Sequence, residues 1–383
     1  MNYQMVFSML VGLGIGFTVL NLPPVLDSLM TLYGVSYGGI SILLSAVLWS
    51  HALMQIPGGM ISDRLGLKPT LLLGLSLVAV GHLLPTLAPD LTLAVVGRVI
   101  VGLGTGLSFI TTLKLIALYA PGGRGGVYQS YFGGLNAIGG ILAYLLLPRL
   151  VVFDWRWTFF TAAALTLAAL AMMPGLRLKP VSAGPEERLP FNRIVLVKVV
   201  WVIGVYHALS WGVIINLGQW MPSILAEAWQ RPSAEKLAWG GALVLFISGV
   251  GRLFGGAALS RFSAAGIANG SILILCFTFL GLFVFQAPWL VLALMLAAGW
   301  FTSINFGAFF QLAGQAVPPR SMATVFGFVN FLANLGAVLF TFVFGLAKDG
   351  TGSFRWGFAF LTVVALTALL GGWRVLAQEK GTN

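Results

Sequence analysis

Two arginines stand inside long apolar runs of this chain: Arg98 in LAVVGRVIVGL and Arg252 in VLFISGVGRLFGG. Neither run contains an Asp or Glu. A guanidinium offers a planar fork of N–H donors that can grip a carboxylate or nitrate with two parallel bonds. Such cations in a cavity without acids suit a small organic or inorganic anion. Each has a plainer alternative. Arg98 can tie backbone carbonyls across helices, and Arg252 can be a topology charge near one end of its run. Further polar groups in apolar runs are His51, Gln55, Asn136, His207, Trp211, Asn216, Asn305 and Asn334. Polar groups at such positions face a cavity or a partner helix, so all ten residues are candidates for contact with a solute, or for interhelical hydrogen bonding.

What is missing also bears on mechanism. Asp27 lies at the end of an apolar run and Glu227 beyond another, and no run carries a carboxylate at its centre. A coupled proton would have to use His51, His207 or the solute itself; uniport and exchange stay equally open. His51, His82 and His207 fall in separate runs without metal-ligand spacing, so no metal or other cofactor is expected. No nucleophile with an adjacent base is visible, so enzymatic activity is not expected either. Cys276 has no partner in the chain for a disulfide.

The elements that must position these residues follow from composition. Of 383 residues 58% are hydrophobic and 8% charged, and mean hydropathy is +0.96. Soluble domains carry about 25% charged residues, so the exterior of this chain must meet lipid. At ~20 residues per span, the apolar runs give twelve expected helices. They lie near 5–28, 38–61, 69–88, 91–118, 127–149 and 156–175, then 194–222, 237–261, 265–286, 288–314, 321–346 and 356–376. The N-terminus lacks a basic n-region and reads as the first span rather than a signal peptide.

The fold class expected is therefore all-α integral membrane, in two pseudo-symmetric six-helix bundles at 1–176 and 194–383. The polar stretch 177–193 links them. If the termini and the linker share one side, that side holds fourteen basic residues, including Arg64, Lys68, Lys114, Arg124 and Arg193, against six on the other. The positive-inside rule makes the richer side cytoplasmic. The net charge of +11 is then topological, and nucleic acid is not an expected partner. The expected partners are a small-molecule substrate and the bilayer of a plasma membrane, a bacterial inner membrane in particular, with the protein acting as a monomer.

The halves repeat. Asp154-Trp-Arg-Trp matches Ser353-Phe-Arg-Trp at an offset of 199; Gln55 through Arg64 matches Arg252 through Arg261 at 197; Asn136 matches Asn334 at 198. Parallel repeats of this kind are a transporter architecture with a central substrate site.

The segment Gly59-Met-Ile-Ser-Asp63-Arg64-Leu-Gly66-Leu-Lys68 resembles the signature loop of the major facilitator superfamily. Arg98-Val-Ile-Val-Gly102 resembles that superfamily's span 4 arginine motif, and Trp-Arg-Trp is similar to its span 6 opening. The chain departs from the pattern at Leu67, where a basic residue is usual, and at Ser260, which stands where the second copy would carry the Asp. The resemblance implies alternating access, with Gly59, Asp63, Arg64, Gly66, Lys68 and Arg124 forming a cytoplasmic latch. It places Asp63 at the cytoplasmic end of span 11, with Arg124 joining an Asp63–Arg64 charge network in the outward-open state. In nitrate and carboxylate carriers of the family, an arginine near the Arg252 position contacts the anion; Gln55 breaks the arginine pair that marks nitrate porters. Rival readings are a drug or metabolite exporter of the same fold and a non-transporting membrane sensor.

Overall fold

The computed structural model describes residues 2–35, 37–178, 188–230 and 238–378. Of the charges used above for orientation, Lys179, Glu186, Glu187, Arg231, Glu235, Lys236, Glu379 and Lys380 lie outside these, as does most of the linker. The described residues form helices and turns without a strand. In chain order the helices are α1 (Tyr3–Val19), α2 (Leu26–Tyr33), α3 (Tyr37–Leu65), α4 (Leu67–Leu83), α5 (Leu91–Tyr119), α6 (Gly125–Leu150), α7 (Trp157–Met172) and α8 (Phe191–Ile194). There follow α9 (Lys198–His207), α10 (Val213–Ala228), α11 (Ala238–Leu259), α12 (Ala264–Val284), α13 (Pro288–Phe301), α14 (Phe306–Gln315), α15 (Met322–Thr351) and α16 (Arg355–Gln378).

Among the described residues ten segments are long and apolar enough to cross a membrane; α1 and α7 are apolar but shorter, at 17 and 16 residues. Together they account for the twelve expected spans. Three spans are not continuous helices, which hydropathy could not show. The first breaks between α1 and α2, where Pro23 and Pro24 supply no N–H and Asn21 Nδ2 turns to the Thr158 carbonyl at 2.9 Å. The seventh passes through a π-helical turn, Ala208–Gly212, between α9 and α10. The tenth is interrupted at 302–305. There Thr302 Oγ1 donates back to the Ala298 carbonyl (2.8 Å) and Asn305 Nδ2 to that of Phe301 (3.1 Å).

The helices gather into two compact units. One comprises Met1–Gly125, Leu135–Leu189 and Pro318–Phe328; the other comprises Gly126–Gly134, Pro190–Val317 and Val329–Asn383. In the first, α4 and α5 pack with almost no side chain between them. A Cβ on Gly81 would stand 2.7 Å from the Gly97 carbonyl, and one on Gly97 would stand 2.6 Å from that of Gly81. One heptad along, Gly74 and Gly104 repeat the arrangement. In lipid, where apolar burial gives helices little reason to associate, such small-residue seams supply close van der Waals contact. In the same unit Gly139 of α6 lies on α1, and a Cβ there would overlap the Leu13 carbonyl.

Side chains on the outside of the helices are apolar, including Leu53 (68% exposed) and Phe277 (67%), as a lipid-facing surface requires. Beyond the Lys198–Gly218 span, Glu227 at the end of α10 accepts from Lys348 Nζ (2.9 Å), Ser353 Oγ and the Phe354 N–H (3.3 Å). Partial burial opposes the charge on Glu227. The bonds from Ser353, Lys348 and Phe354 and the lysine's charge outweigh that, holding the carboxyl below its ordinary value.

Two outcomes follow. Gly139→Ala lowers stability by about 1–3 kcal/mol through overpacking, read as a lower Tm, whereas Gly371→Ala, with nothing within 4 Å of the added carbon, does not; equal Tm values contradict the packing. A depressed carboxyl stabilises the fold above its unfolded value and loses that contribution as pH falls through the folded one. The Tm gap between wild type and Glu227→Gln therefore stays constant down to about pH 5 and closes below about pH 4; a gap independent of pH contradicts the clamp.

Candidate functional site

In the second unit, Arg252 of α11 is only 7% exposed. Its guanidinium carbon lies 4.8 Å from the Phe306 ring centre and 5.3 Å from that of Trp211. Its Nη1 reaches the Gly133 carbonyl at 3.5 Å, a long bond, and its Nε has no partner. Gly133 permits this approach, since a Cβ there would stand 3.0 Å from the Phe306 ring and 3.3 Å from Arg252 Cδ. No ion pair among the described residues includes Arg252.

The π-helical turn sets the other wall. It carries Trp211, whose Nε1 donates to Asn334 Oδ1 of α15 at 3.3 Å. At the turn's end Gly212 lies so close to α15 that a Cβ would stand 2.9 Å from the Ala337 nitrogen. Asn334 Nδ2 donates to the Asn330 carbonyl (2.8 Å), and Asn330 Oδ1 lies 3.3 Å from His207 Nε2. The His207 ring meets the edges or faces of Phe306, Phe309 and Phe310, and its Nδ1 has no partner.

The structure therefore joins Arg252, His207, Trp211 and Asn334 through Phe306, Asn330 and Gly133. Chemically this is one cation with a free donor, flanked by two aromatic faces and a chain of amides. Cation–π contact stabilises such a charge without using the N–H groups an anion would need.

Asn305 and Asn216 are held differently. Asn305 Nδ2 bonds Ser210 Oγ and Ser271 Oγ, both at 3.0 Å, and Asn216 Nδ2 bonds the Gly212 (2.8 Å) and Ala337 (3.2 Å) carbonyls. Their amide donors are spent on interhelical ties.

In the first unit, Arg98 of α5 is 1% exposed. Its Nη1 donates to the Thr18 carbonyl (3.0 Å) and Asn21 Oδ1 (2.9 Å), and Asn21 continues to Thr158. His82 Nε2 lies 3.2 Å from Thr18 Oγ1. This arginine binds α5 to the broken end of α1 and onward to α7. Two helical turns along α5, Thr105 Oγ1 is 3.0 Å from His51 Nδ1, and Gln55 Nε2 donates to the His51 carbonyl at 3.2 Å. Gln55 is fully buried and its Oε1 has no partner. Asn136 Nδ2 donates to the Gly12 carbonyl of α1 at 3.3 Å.

The loop between α3 and α4, where the latch is expected, makes its contacts within that same unit. Gly66, at φ +86°, turns the chain from one helix into the next. The Asp63 side chain is enclosed and sits at the N-terminus of α15. It accepts from the Ala323 N–H (3.2 Å), the Thr324 N–H (2.8 Å) and Thr324 Oγ1 (2.5 Å). The first N–H groups of a helix lack intrahelical partners and favour an anion. Gly59 lets the helices meet, since a Cβ there would lie 2.7 Å from Thr324 Cα.

The cation on Asp63 is Lys114 of α5, at 2.6 Å, and not Arg124. Arg124 is exposed after the Pro121–Gly123 turn and in none of the ion pairs among the described residues. Arg64 is exposed, and Lys68 Nζ donates to the Leu176 carbonyl at 3.3 Å. In the second copy Ser260 bonds only the Ala257 carbonyl of its own turn (2.7 Å).

Sequence reasoning missed Lys114 as the latch cation, and missed Phe306, Asn330 and Gly133. Asn330 had a signal, lying one helical turn before Asn334; the others meet their partners across long sequence separations.

Comparisons with known proteins agree with this architecture. The chain is 25% identical over 375 residues to "Probable sulfoacetate transporter SauU" of Cupriavidus necator, covering 88% of this chain and 85% of that protein. It is 26% identical over 220 residues to "Probable anion transporter 6, chloroplastic" of Arabidopsis thaliana, where the match covers 51% of this chain and 42%, less than half, of the plant protein. The solved structure of FucP, a Major Facilitator Superfamily transporter in the outward conformation, superposes with a TM-score of 0.80 at 15% identity, covering 97% of this chain and 99% of that one. The sequence profile described as the Major Facilitator Superfamily matches residues 6–341. With the profile spanning most of its length and the helical fold in agreement, this chain belongs to the Major Facilitator Superfamily of transporters.

Proposed function

We propose that this chain carries a small organic or inorganic anion across the plasma membrane by alternating access of two six-span halves, 1–176 and 194–383. The observation that carries the reading is the Arg252 guanidinium, buried between Trp211 and Phe306 with an unpartnered Nε and no carboxylate paired to it. A cation enclosed in this way lacks the counter-charge that enclosure demands, and an incoming anion supplies it. Trp211, His207, Asn330 and Asn334 surround the anion's remaining polar groups. Two relatives named for anions, one for sulfoacetate, support the class. Arg98 also keeps a buried Nε without a partner among the described residues, but its Nη1 is held by two short bonds, to the Thr18 carbonyl and Asn21 Oδ1, so it serves as the tie that fixes α5. The charge bias supports a cytoplasmic side for both termini and the Asp63 latch, where the latch would form and break during the cycle.

Flux into proteoliposomes tests the site. Arg252→Gln weakens anion uptake roughly 30-fold or more, the equivalent of at least ~2 kcal/mol lost from a buried charged contact. Arg252→Lys, which keeps the charge but loses the fork, falls between the two. Arg98→Gln lowers Tm without a comparable loss of affinity. Full uptake by Arg252→Gln sinks the proposal.

Amide hydrogen exchange tests the latch. Asp63→Asn weakens charge-assisted bonds worth about 1.5–3 kcal/mol each, so exchange at Ala323 and Thr324 accelerates by about tenfold or more. Unchanged protection at both amides would remove Asp63 from that role.

A further inference from the structure

The two copies of the Trp/Phe-Arg-Trp segment differ in how their arginine is held, and a pocket lies beside the second. In the first unit Arg156 is fully engaged. Its Nε donates to the Thr86 carbonyl at 3.0 Å, its Nη1 pairs with Asp154 at 3.3 Å, and its backbone N–H donates to Asp154 Oδ1 at 2.8 Å. The repeat offset of 199 places Arg355 where Arg156 stands, Ser353 where Asp154 stands and Phe285 where Thr86 stands. The backbone bond survives in the second unit, from the Arg355 N–H to Ser353 Oγ at 3.4 Å. The carboxylate does not survive, and among the described residues no carbonyl replaces that of Thr86: Arg355 Nε is buried without a partner there.

A cavity of about 350 Å³ lies beside this arginine, enclosed by the end of α10, the end of α12, the start of α13 and the start of α16. Its apolar wall includes Ile224, Leu282, Phe285 and Val291. Glu227 also lines it, but its oxygens already accept from Lys348, Ser353 and the Phe354 N–H. Glu227 is already paired with Lys348, so Arg355 is the charged residue of the lining without an ion pair among the described residues. Trp229 and Trp289 pack against each other at this rim, with ring centres 5.3 Å apart, and Trp289 is 72% exposed. Tryptophans gather at the membrane–water boundary, where a pocket is open to amphiphiles.

We infer that this pocket is a second anion site, separate from Arg252, for a molecule with a carboxylate, sulfonate or phosphate head on a short apolar body. The head replaces the carboxylate that Asp154 supplies in the first repeat. The body lies against Ile224, Leu282 and Phe285. The same chemistry is offered by a free amphiphilic anion and by an anionic lipid headgroup. Arg355 is used by neither the latch nor the Arg252 cluster.

The test uses the full chain purified in a neutral detergent, with octanoate and its neutral amide as probes. A second arm uses nanodiscs of phosphatidylcholine with and without phosphatidylglycerol. Octanoate, and not octanamide, is expected to raise the Tm of the wild type and of Arg252→Gln. In Arg355→Gln the apparent affinity falls at least tenfold. Phe285→Glu, which adds a carboxylate to the cavity wall at a half-exposed position, loses the response in a chain that keeps every arginine, so a folding defect in one variant does not decide the matter. A response to phosphatidylglycerol alone that vanishes in both variants assigns the site to lipid and sustains the inference. An undiminished response in both variants, a response lost only in Arg252→Gln, or no wild-type response in either arm overturns it.

Discussion

A charge enclosed among apolar helices has to be held by something, and the described residues provide few carboxylates for the purpose. That constraint organises both units. Arg98 meets it with the Thr18 carbonyl and the Asn21 amide oxygen, dipoles supplied by the place where α1 breaks. Arg252 meets it with aromatic faces and one long bond to Gly133. The first arrangement uses the guanidinium to tie helices. Both leave an Nε without a partner among the described residues, but Arg98 Nη1 makes two short bonds where Arg252 Nη1 makes one long one, and on that difference rests the proposal that Arg252, and not Arg98, meets the solute.

Divergence between the repeats follows the same logic. Where the first copy has Gln55, the second has Arg252; where the first has Asp63 and Asp154, the second has Ser260 and Ser353. The first unit keeps its carboxylates in structural work. Asp63 holds Lys114 and the start of α15, and Asp154 holds Arg156. The second unit has lost the corresponding acids and has gained an arginine. Arg252 and Arg355, two of its cations without an ion pair among the described residues, are the places where the proposals above put an anion from outside the chain, completing a pairing that the duplicated sequence no longer provides.

The twelve spans were legible because lipid demands long apolar runs whatever the packing within them. Arg98, Arg252 and the Asp63 loop were legible because a charge or a polar turn stands out against such runs. Hydropathy is blind to helix continuity, so it could not show the break at Pro23–Pro24, the interruption at 302–305 or the π-helical turn that presents Trp211. It is equally blind to which apolar residue faces a cation: Phe306 reads as one more phenylalanine in FGAFFQ. Lys114 was counted as topology, because its bond to Asp63 joins residues 51 apart and leaves no periodic trace. The resemblance implied a cation for Asp63 but pointed to Arg124, and the geometry of α5 supplied another.

The central claim is that the Arg252 cluster binds a negative charge. The direct test is equilibrium binding to the purified protein of two isosteric ligands, a short monocarboxylate and its uncharged amide. The anion is expected to bind with an affinity that falls as Trp211 or Phe306 is changed to Ala, and the amide is expected not to compete. Equal binding of the uncharged analogue, or anion affinity indifferent to both aromatic residues, would contradict it.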